Sequence, residues 1–423
     1  MARPLNILVF PCGSEVALEI HRSLEHSIHV NLIGGNSVDD HGKFVFEDYI
    51  DGIPFDDHPD FIPVLTCLVK EKSIDAIYPA MDSVISILKL NEAELGCVVV
   101  ASDSETTKIC LSKSETYKVL EGSVEIPKIY ADANEVSEFP VFLKPDIGYG
   151  SRGVKKANNK NELVAHLENN SDVIILEYLP GKEYTVDCFS SFNRELLFVG
   201  PRERSRISNG ISVNTSTMPL EERFEAIAIS INSAIKFSGA WFFQVRERDN
   251  GTLVLMEVAC RLGGSSGVHR AKGVNFAALS IFNGLGMPVD IIENNYSVEL
   301  DRALDALYKT DIRFNHAYID FDDTLIVNNR VNTKLISLIF KFFNQGKKIY
   351  LITKHEFDIT ASIAKYRLSG IFDEIIHLEK HDQKWKYISH KDSIFIDDSF
   401  AERKQIKDNL GIAVFSLDMI SIL

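Results

Sequence analysis

Residues 316–325 read His-Ala-Tyr-Ile-Asp-Phe-Asp-Asp-Thr-Leu, an apolar strand that ends in two carboxylates, Asp320 and Asp322, spaced two positions apart. A second apolar stretch ends at the hydroxyl of Thr353, and a third, residues 393–398, ends in an acidic pair. Parallel strands bring their carboxyl ends to one edge of a sheet, where α/β folds place their sites. The pattern therefore predicts a parallel α/β domain in the last quarter of the chain, with a site for phosphoryl transfer to an aspartate.

Lys384 lies 13 residues before Asp397. Together with this lysine, the strand ends resemble the haloacid dehalogenase superfamily over about residues 313–423. The resemblance implies a phosphatase in which Asp320 is the nucleophile and carries the phosphoryl group as a phosphoaspartate. It also implies that Asp322 protonates the leaving oxygen and then activates water. An acidic turn after a buried strand is the alternative explanation of the first motif.

The same resemblance implies a site that binds the phosphoryl group and magnesium. Thr353 and Lys384 would bind the phosphoryl oxygens, with Lys380 and Lys386 as neighbouring alternatives to Lys384. The implied magnesium ligands are Asp320, Asp322 and Asp397, with Asp398 nearby. Only 32 residues separate Asp320 from Thr353, which leaves no room for a large cap domain. The site is therefore expected to be open or covered by a neighbouring domain.

Length, composition and charge limit the class of protein. A chain of 423 residues exceeds what one core can hold, so about three domains are expected. Its net charge of −15 argues against a nucleic-acid partner, and no apolar run is long enough to span a membrane. The six cysteines are dispersed and the amino terminus is a strand without signal-peptide features, so a cytoplasmic location with reduced thiols is expected. Homo-oligomerisation is left open.

The chain divides into three segments of different pattern. Residues 1–112 alternate strands and helices as in a small parallel α/β domain, with Ser14 as the cap of the first helix. Residues 113–300 open with a helix and continue with longer strands of antiparallel character. A polar stretch, residues 286–312, precedes renewed strand–helix alternation in a third domain, residues 312–423. The expected fold class is therefore α/β combined with α+β.

A glycine-rich segment in the middle domain indicates a nucleotide site. Residues 148–153 read Gly-Tyr-Gly-Ser-Arg-Gly and match GxGxxG, but a returning strand follows where a dinucleotide site would have a helix. Lys144 precedes this segment on the incoming strand. Such a hairpin suits a flexible lid over a triphosphate, with Gly148, Gly150 and Ser151 near the phosphates, because bare backbone N–H groups can approach anionic oxygens. A mobile surface hairpin is the alternative.

A second hairpin indicates a metal site. If Asn250 and Gly251 form a two-residue turn, Gln244 lies directly opposite Glu257 on the neighbouring strand. Directly opposed side chains have Cβ atoms ~5 Å apart, so these two oxygen-bearing groups can share a Mg2+ ion. A polar pair on a solvent-exposed face is the alternative, although the apolar residues around both positions favour burial.

Four ordered motifs resemble those of ATP-grasp enzymes over roughly residues 1–300. The motifs are Lys144–Val154, Leu176–Glu183, Gln244 and Met256–Gly264. Within that group, residues 10–15 are similar to carbamoyl-phosphate-synthase-like members that are encoded with tellurite-resistance genes. The two resemblances together imply a pre-ATP-grasp α/β domain, an ATP-grasp domain, and a carboxyl-terminal Rossmann-like haloacid-dehalogenase domain without a large cap.

The ATP-grasp resemblance also implies roles for individual residues. Lys113 and Lys144 would contact the phosphates of ATP. Glu177 and Leu179 would frame the adenine edge, and Glu183 would hold the ribose hydroxyls. The residues that would meet the transferred phosphate or the substrate carboxylate are Arg202 or Arg204, and Arg261.

One position departs from the family pattern, which is Glu-x-Asn-x-Arg with the asparagine as a metal ligand. Here Glu257 and Arg261 flank Ala259, which has no donor oxygen. The expected function is a bifunctional enzyme that joins a small carboxylate to an amine through an acyl phosphate and hydrolyses a related phosphoester. It would use ATP and Mg2+, with Mn2+ as an alternative ion. One rival is a phosphatase regulated by a catalytically weak nucleotide-binding domain, and a second is a non-enzymatic scaffold.

Overall fold

The computed structural model describes residues 3–148, 153–170, 172–208 and 210–423. The chain forms two compact units, Met1–Leu304 and Asp305–Leu423. All six cysteines are free thiols. No helix within the described ranges has both the length and the apolar character that a bilayer crossing requires.

The amino-terminal part of the first unit is a parallel sheet flanked by helices, as the strand–helix alternation predicts. Its elements are β1 (Leu5–Phe10), α1 (Glu15–Leu24), β2 (Val30–Gly35), α2 (Gly42–Val45), β3 (Asp48–Ile50), α3 (Phe61–Glu71), β4 (Ala76–Pro79), α4 (Asp82–Leu90), α5 (Glu92–Leu95), β5 (Val98–Val99), α6 (Ser104–Leu111) and α7 (Lys113–Leu120). The five strands follow the order β3-β2-β1-β4-β5, and adjacent strands are parallel. The Ser14 side chain accepts a hydrogen bond from the Ala17 N–H and caps α1, as expected.

The remainder of the first unit contains two antiparallel sheets. Its elements are β6 (Ile129–Tyr130), β7 (Val141–Pro145), β8 (Lys155–Ala157), α8 (Lys160–Leu167), β9 (Val173–Glu177), β10 (Glu183–Ser190), β11 (Leu196–Ser208), β12 (Ile211–Thr217), α9 (Glu222–Ala234), β13 (Gly239–Glu247), β14 (Leu253–Ala259), α10 (Gly267–Arg270), α11 (Phe276–Gly284) and β15 (Glu299–Asp301). The smaller sheet has the order β6-β9-β7-β8, and the larger has the order β14-β13-β10-β11-β12-β15.

Strand β15 lies inside the stretch that the sequence indicates as a polar boundary. It pairs with β12 in the register Asn214↔Asp301, and the Asn214 side chain donates a 2.9 Å hydrogen bond to the Asp301 carboxylate. These partners are 87 residues apart in the chain, so no local pattern could reveal the strand. The larger sheet therefore continues to residue 301.

The turn between β13 and β14 corrects one prediction and supports another. Residues 249–251 form a three-residue turn in which Gly251 has a φ of +81°, so the expected two-residue turn is wrong. This turn shifts the two strands by one position, and a bulge that leaves Met256 unpaired shifts them back. Gln244 therefore faces Glu257 as the sequence predicts, because the two departures cancel.

One hydrophobic core joins the parallel sheet to the larger antiparallel sheet. Ile7 and Val9 of β1 belong to the same buried cluster as Phe189 of β10, Ala240 of β13 and Ile281 of α11. Residues before and after position 112 therefore share buried apolar surface, and the first 304 residues form one unit.

The second unit is a five-stranded parallel sheet with helices, as its strand-end pattern predicts. Its elements are β16 (His316–Ile319), β17 (Ile326–Val327), β18 (Arg330–Val331), α12 (Thr333–Asn344), β19 (Lys348–Thr353), α13 (Ile359–Lys365), β20 (Glu374–His377), a 3-10 helix (Lys384–Tyr387), β21 (Ser393–Ile396), α14 (Phe400–Leu410), β22 (Ala413–Phe415) and a final 3-10 helix (Ile420–Ile422). The sheet order is β20-β19-β16-β21-β22. Between Asp320 and Thr353 the chain forms the β17–β18 hairpin, α12 and β19, so no large domain is inserted there.

Candidate functional site

A cavity of about 440 Å³ lies in the first unit. The residues singled out from the sequence that line it are Lys113, Lys144, Gly148, Glu183, Arg202, Arg204, Gln244, Glu257 and Arg261. Gly150 and Ser151, also expected near the phosphates, lie outside the described residues. Among the described residues, seven lysine and arginine side chains and four carboxylates line the cavity, so basic groups outnumber acidic ones in a chain of net charge −15. The cavity is therefore suited to an anionic ligand.

Lys144 is buried at the cavity wall beside the bulge of β14. Its Nζ donates to the carbonyl oxygen of Met256 over 2.7 Å and to the hydroxyl of Tyr117 over 2.8 Å. Burial lowers the pKa of Lys144 to about 7, while the nearby Glu257 carboxylate acts in the opposite direction. The lysine is thus fixed in position and half-charged near neutral pH, and an anion placed beside it would favour its charged form.

Lys113, the first residue of α7, is bound to the segment that leads into the glycine-rich loop. Its Nζ donates to the carbonyl oxygens of Asp146 and Gly148, at 3.0 and 3.2 Å. Asp146 in turn accepts hydrogen bonds from the Ser112 hydroxyl and the Ser114 N–H, at 2.8 and 2.7 Å. Hydrogen bonds therefore link the start of α7 to the end of β7, and they hold Lys113 at the cavity.

Gln244 and Glu257 face each other across β13 and β14, and both line the cavity. The side-chain oxygen of Gln244 accepts a 3.0 Å hydrogen bond from Arg204, which also donates to Glu183. Glu257 has no hydrogen-bond partner for its carboxylate among the described residues. A carboxylate without a partner beside an amide oxygen fits the hard oxygen ligands that Mg2+ prefers.

Ala259 is buried and lies opposite Phe242 in the β13–β14 register. The Phe242 ring lines the cavity, and the Arg261 guanidinium lies 5.3 Å from the centre of that ring. No side-chain oxygen is therefore available at position 259, and the departure from the family pattern corresponds to an apolar patch beside Glu257.

Two residues expected at the adenine edge do not line the cavity. Glu177 is bound by Arg248 at 2.7 Å and accepts a 2.9 Å hydrogen bond from the Lys128 N–H. Partial burial acts to raise the pKa of Glu177, but the hydrogen bonds from Arg248 and Lys128 together lower it. Leu179 is buried in the protein interior. Neither side chain faces this cavity, because both are engaged within the protein, and their expected place at the adenine edge stays a prediction.

Two further residues that line the cavity are not predicted from the sequence. Asp82, the first residue of α4, binds Arg261 through two hydrogen bonds of 2.8 Å. It follows a buried strand, so the same strand-end rule that identified Asp320 could have found it. Arg302 pairs with Glu15 at the start of α1. No local signal marks Arg302, because only the pairing of β15 with β12 brings it to the cavity.

In the second unit, three of the expected residues meet in one buried cluster. The Nζ of Lys384 lies 2.6 Å from an oxygen of Asp320 and 2.6 Å from an oxygen of Asp397. Asp398 joins them: one oxygen from each of the three carboxylates lies within 4.8 Å of the others. Burial raises the pKa of Asp320, and Lys384 opposes that shift. Of the three neighbouring lysines considered from the sequence, Lys384 is the one in this cluster.

Thr353 and Asp322, also expected in this site, both contact His355. Thr353 is buried at the end of β19, and its hydroxyl oxygen accepts a 3.1 Å hydrogen bond from the His355 N–H. Asp322 is half-exposed, and both of its carboxylate oxygens lie 2.9 Å from Nδ1 of His355. The carboxylates that could hold a metal are therefore those of Asp320, Asp397 and Asp398, whereas the Asp322 side chain, also expected as a ligand, is turned to His355.

Comparison with solved structures identifies the fold of the first unit. The biotin carboxylase domain of Hydrogenobacter thermophilus 2-oxoglutarate carboxylase, solved as a dimer with MgADP and bicarbonate, superposes with a TM-score of 0.61 at 17% identity. The match covers 71% of this chain and 74% of that one. An L-amino acid ligase from Bacillus licheniformis superposes with a TM-score of 0.56 at 17% identity, covering 69% and 76% of the two chains. The chain therefore shares the fold of this biotin carboxylase domain and of this ligase.

Sequence comparison agrees with the fold. The family model described as "ATP-grasp in the biosynthetic pathway with Ter operon" matches residues 169–310. D-alanine–D-alanine ligase A of Bacillus cereus is 30% identical over 145 residues, which cover 31% of this chain and 48% of that enzyme. The chain thus spans about half the length of this relative. These matches confirm the ATP-grasp resemblance of the first unit, a class that uses ATP and Mg2+.

Proposed function

We propose that the first unit is an ATP- and Mg2+-dependent carboxylate–amine ligase. The observation that carries this proposal is the cavity in which Lys144, Gln244 and Glu257 meet, with an excess of positive charge around them. The relatives support it, since D-alanine–D-alanine ligase and L-amino acid ligase are both named as ligases. A cavity of about 440 Å³ is in the range of small-molecule sites.

The cavity residues would act mainly by alignment and charge neutralisation. Lys113 and Lys144 would bind the phosphates of ATP. Gln244 and Glu257 would hold Mg2+, which supplies positive charge against the phosphate oxygens when bound. The arginines of the cavity would bind the acid and the phosphoryl group that it receives.

The reaction that these groups support has two steps. A carboxylate oxygen of the acid attacks the γ-phosphorus of ATP. The bond between the γ-phosphorus and the oxygen that bridges it to the β-phosphate breaks, which releases ADP and forms an acyl phosphate. The amine then attacks the acyl carbon, inorganic phosphate leaves, and the amine nitrogen loses a proton as the amide forms. Because water would destroy the acyl phosphate, the reaction requires a site from which water is excluded. Most of the glycine-rich segment that the sequence indicates as a lid lies outside the described residues.

The test of the ligase proposal is ADP release by the full chain with Mg2+ and a metabolite extract, read by mass spectrometry. Release that requires both an acid and an amine supports the ligase. ATP binding without ADP release, combined with a change in phosphatase rate, would instead support the rival in which the first unit only regulates the second. The buried Ala259 is the observation that favours this rival.

We propose that the second unit is a Mg2+-dependent aspartyl phosphatase. The observation that carries this proposal is the cluster of Asp320, Lys384 and Asp397 at the carboxyl edge of a parallel sheet. The carboxylate oxygens of Asp320, Asp397 and Asp398 fit the oxygen ligands of Mg2+, which would neutralise charge on the phosphoryl group when bound.

In this reaction Asp320 would attack phosphorus, forming a phosphoaspartate while the bond to the leaving oxygen breaks. Asp322 would give its proton to that oxygen and later take a proton from the attacking water. Thr353 and Lys384 would bind the phosphoryl oxygens. The test is hydrolysis of p-nitrophenyl phosphate with Mg2+ or Mn2+. Turnover by the wild-type chain that is lost in Asp320→Asn supports the proposal, and turnover that survives this change contradicts it.

We further propose that the two units treat related small metabolites in the cytoplasm, an acid and an amine in one and a phosphoester in the other. If the products of the ligase reaction were never substrates, precursors or inhibitors for the phosphatase in the same extract, this link would be rejected.

A further inference from the structure

Three charged or polar side chains meet behind one wall of the cavity in the first unit. Asp187 of β10, Arg202 of β11 and His269 of α10 are each at most 3% exposed. The Nε of Arg202 donates to Oδ2 of Asp187 over 2.6 Å, and Nε2 of His269 lies 3.3 Å from the same oxygen. Although burial acts to raise it, Arg202 and His269 together lower the pKa of Asp187 to about 2. A buried ionised carboxylate therefore anchors the arginine from behind.

Two glycines create the space for this arrangement. Asp187 pairs with Gly200 across β10 and β11, and a Cβ at Gly200 would lie only 2.5 Å from the His269 ring. A Cβ at Gly263 would lie 3.0 Å from Nη2 of Arg202 and 3.1 Å from Oδ1 of Asp187. The imidazole is further held edge-on by Phe198, with ring centres 5.3 Å apart. The local backbone is therefore shaped around this polar group, although burying it is costly.

Arg202 differs from its neighbour Arg204 in how many of its guanidinium nitrogens already donate hydrogen bonds. Arg204 already donates to Glu183, to Gln244 and to the carbonyl oxygen of Gly210. Arg202 uses only Nε, and its two terminal nitrogens have no hydrogen-bond partner among the described residues. Because Arg202 lines the cavity, its free N–H groups are available to a ligand there.

We propose that Asp187 and His269 are positioning residues that hold Arg202 so that its terminal N–H groups bind an oxyanion in the cavity. The inference rests on the proposed ligase function and deepens it by separating Arg202 from Arg204. The oxyanion is either the phosphoryl group in transfer or the carboxylate of the acid, since a guanidinium binds both in the same bidentate way. Oδ1 of Asp187 is buried without a hydrogen-bond partner among the described residues, as are both ring nitrogens of His269. Because Oδ1 is an acceptor, the oxyanion would bind the terminal N–H groups of Arg202 and not this oxygen.

The test uses the full chain saturated with MgADP. Inorganic phosphate and acetate are titrated separately by calorimetry into the wild type and into four variants, Asp187→Asn, His269→Leu, His269→Gln and Arg202→Lys. Arg206→Lys is the matched control, because Arg206 lies on the same strand but is exposed and paired with Asp301. Gln can reach toward Asp187 with an amide N–H, whereas Leu cannot.

We expect Asp187→Asn, His269→Leu and Arg202→Lys to weaken binding of one anion about tenfold or more, the range typical of lost supporting contacts. The affinity for MgADP should change less than twofold, and His269→Gln and Arg206→Lys should resemble the wild type. Weaker phosphate binding identifies the phosphoryl group as the ligand, and weaker acetate binding identifies the substrate carboxylate.

Unchanged affinity for both anions in Asp187→Asn and His269→Leu would overturn the inference. So would a parallel loss of MgADP affinity, because that is the sign of a merely structural role. A wild-type chain that binds MgADP but neither anion also overturns it, whereas a wild-type chain that fails to bind MgADP rejects the ligase proposal itself.

Discussion

The Nζ of Lys144 and the carbonyl oxygen of Met256 are 2.7 Å apart, and Met256 is the unpaired residue of the bulge in β14. The bulge thus has two consequences. It turns a backbone carbonyl toward the buried lysine, and it restores the register that sets Glu257 opposite Gln244. A single irregularity in one strand therefore orders both the phosphate-binding and the metal-binding side of the proposed ligase site.

Lys144→Ala should abolish ATP turnover and leave phosphatase activity intact, because the lysine belongs to the first unit and the phosphatase residues to the second. The two activities are measured on one preparation, as ADP release and as hydrolysis of p-nitrophenyl phosphate. Lys155→Ala, an exposed position on β8, is the control. Loss of both activities with the fold preserved would mean that the chain has a single coupled site.

Binding of MgADP should take up protons above pH 7. Burial holds the pKa of Lys144 near 7, so the free lysine is charged below that pH and largely neutral above it. A phosphate that requires the charged form should therefore bind more weakly as pH rises from 6 to 9. Calorimetry at pH 8 in buffers of different ionisation enthalpy should show uptake approaching one proton.

The matched variant for this prediction is Lys144→Met, which has an unbranched side chain one atom shorter than that of lysine and removes the charge. Its affinity for MgADP should be low and nearly independent of pH between 6 and 9. The same proton uptake in this variant would assign the titration to another group.

Ala259→Asn should lower the Mg2+ concentration needed for half-maximal ATP use, because it restores a donor oxygen two residues after Glu257. Position 259 is buried, so the larger side chain should also cost about 1–3 kcal/mol in the free energy of unfolding. Ala259→Leu has the same number of side-chain heavy atoms as Ala259→Asn but no oxygen, and it should show only a loss of stability. An unchanged Mg2+ dependence in Ala259→Asn would show that the residue at position 259 does not affect metal binding.

His355→Ala should lower phosphatase kcat about 10–100-fold, the range found when a group that orients a reacting residue is removed. His355 Nδ1 binds both oxygens of Asp322, and its Nε2 lies 2.8 Å from the Ser362 hydroxyl, so the ring holds the proposed acid in one orientation. The exposed His381 provides the control variant His381→Ala. A kcat equal to that of the wild type would show that Asp322 needs no such partner.

Much of the candidate site follows from local sequence because strand ends and motif spacing are local properties. The carboxyl ends of β16, β19 and β21 bring Asp320, Thr353 and Asp397 to one edge, as the alternation of apolar strands and polar ends indicates. The sequence predicts the pairing of Gln244 with Glu257 correctly although the predicted turn is wrong. The bulge in β14, which no sequence pattern indicates, compensates for the extra turn residue. Agreement at that pair was therefore partly fortuitous.

Local sequence predicts the type of each element and the chemistry of the groups at its ends, because periodicity and strand-terminal residues are properties of short stretches of chain. Which charged groups remain available for a ligand depends on the packing of the whole chain. This packing engages Glu177 with Arg248, leaves the terminal nitrogens of Arg202 open to the cavity, and brings in Arg302 through β15. The physical reason is that ion pairs and strand pairings between distant residues depend on the whole packing arrangement, which no local pattern encodes.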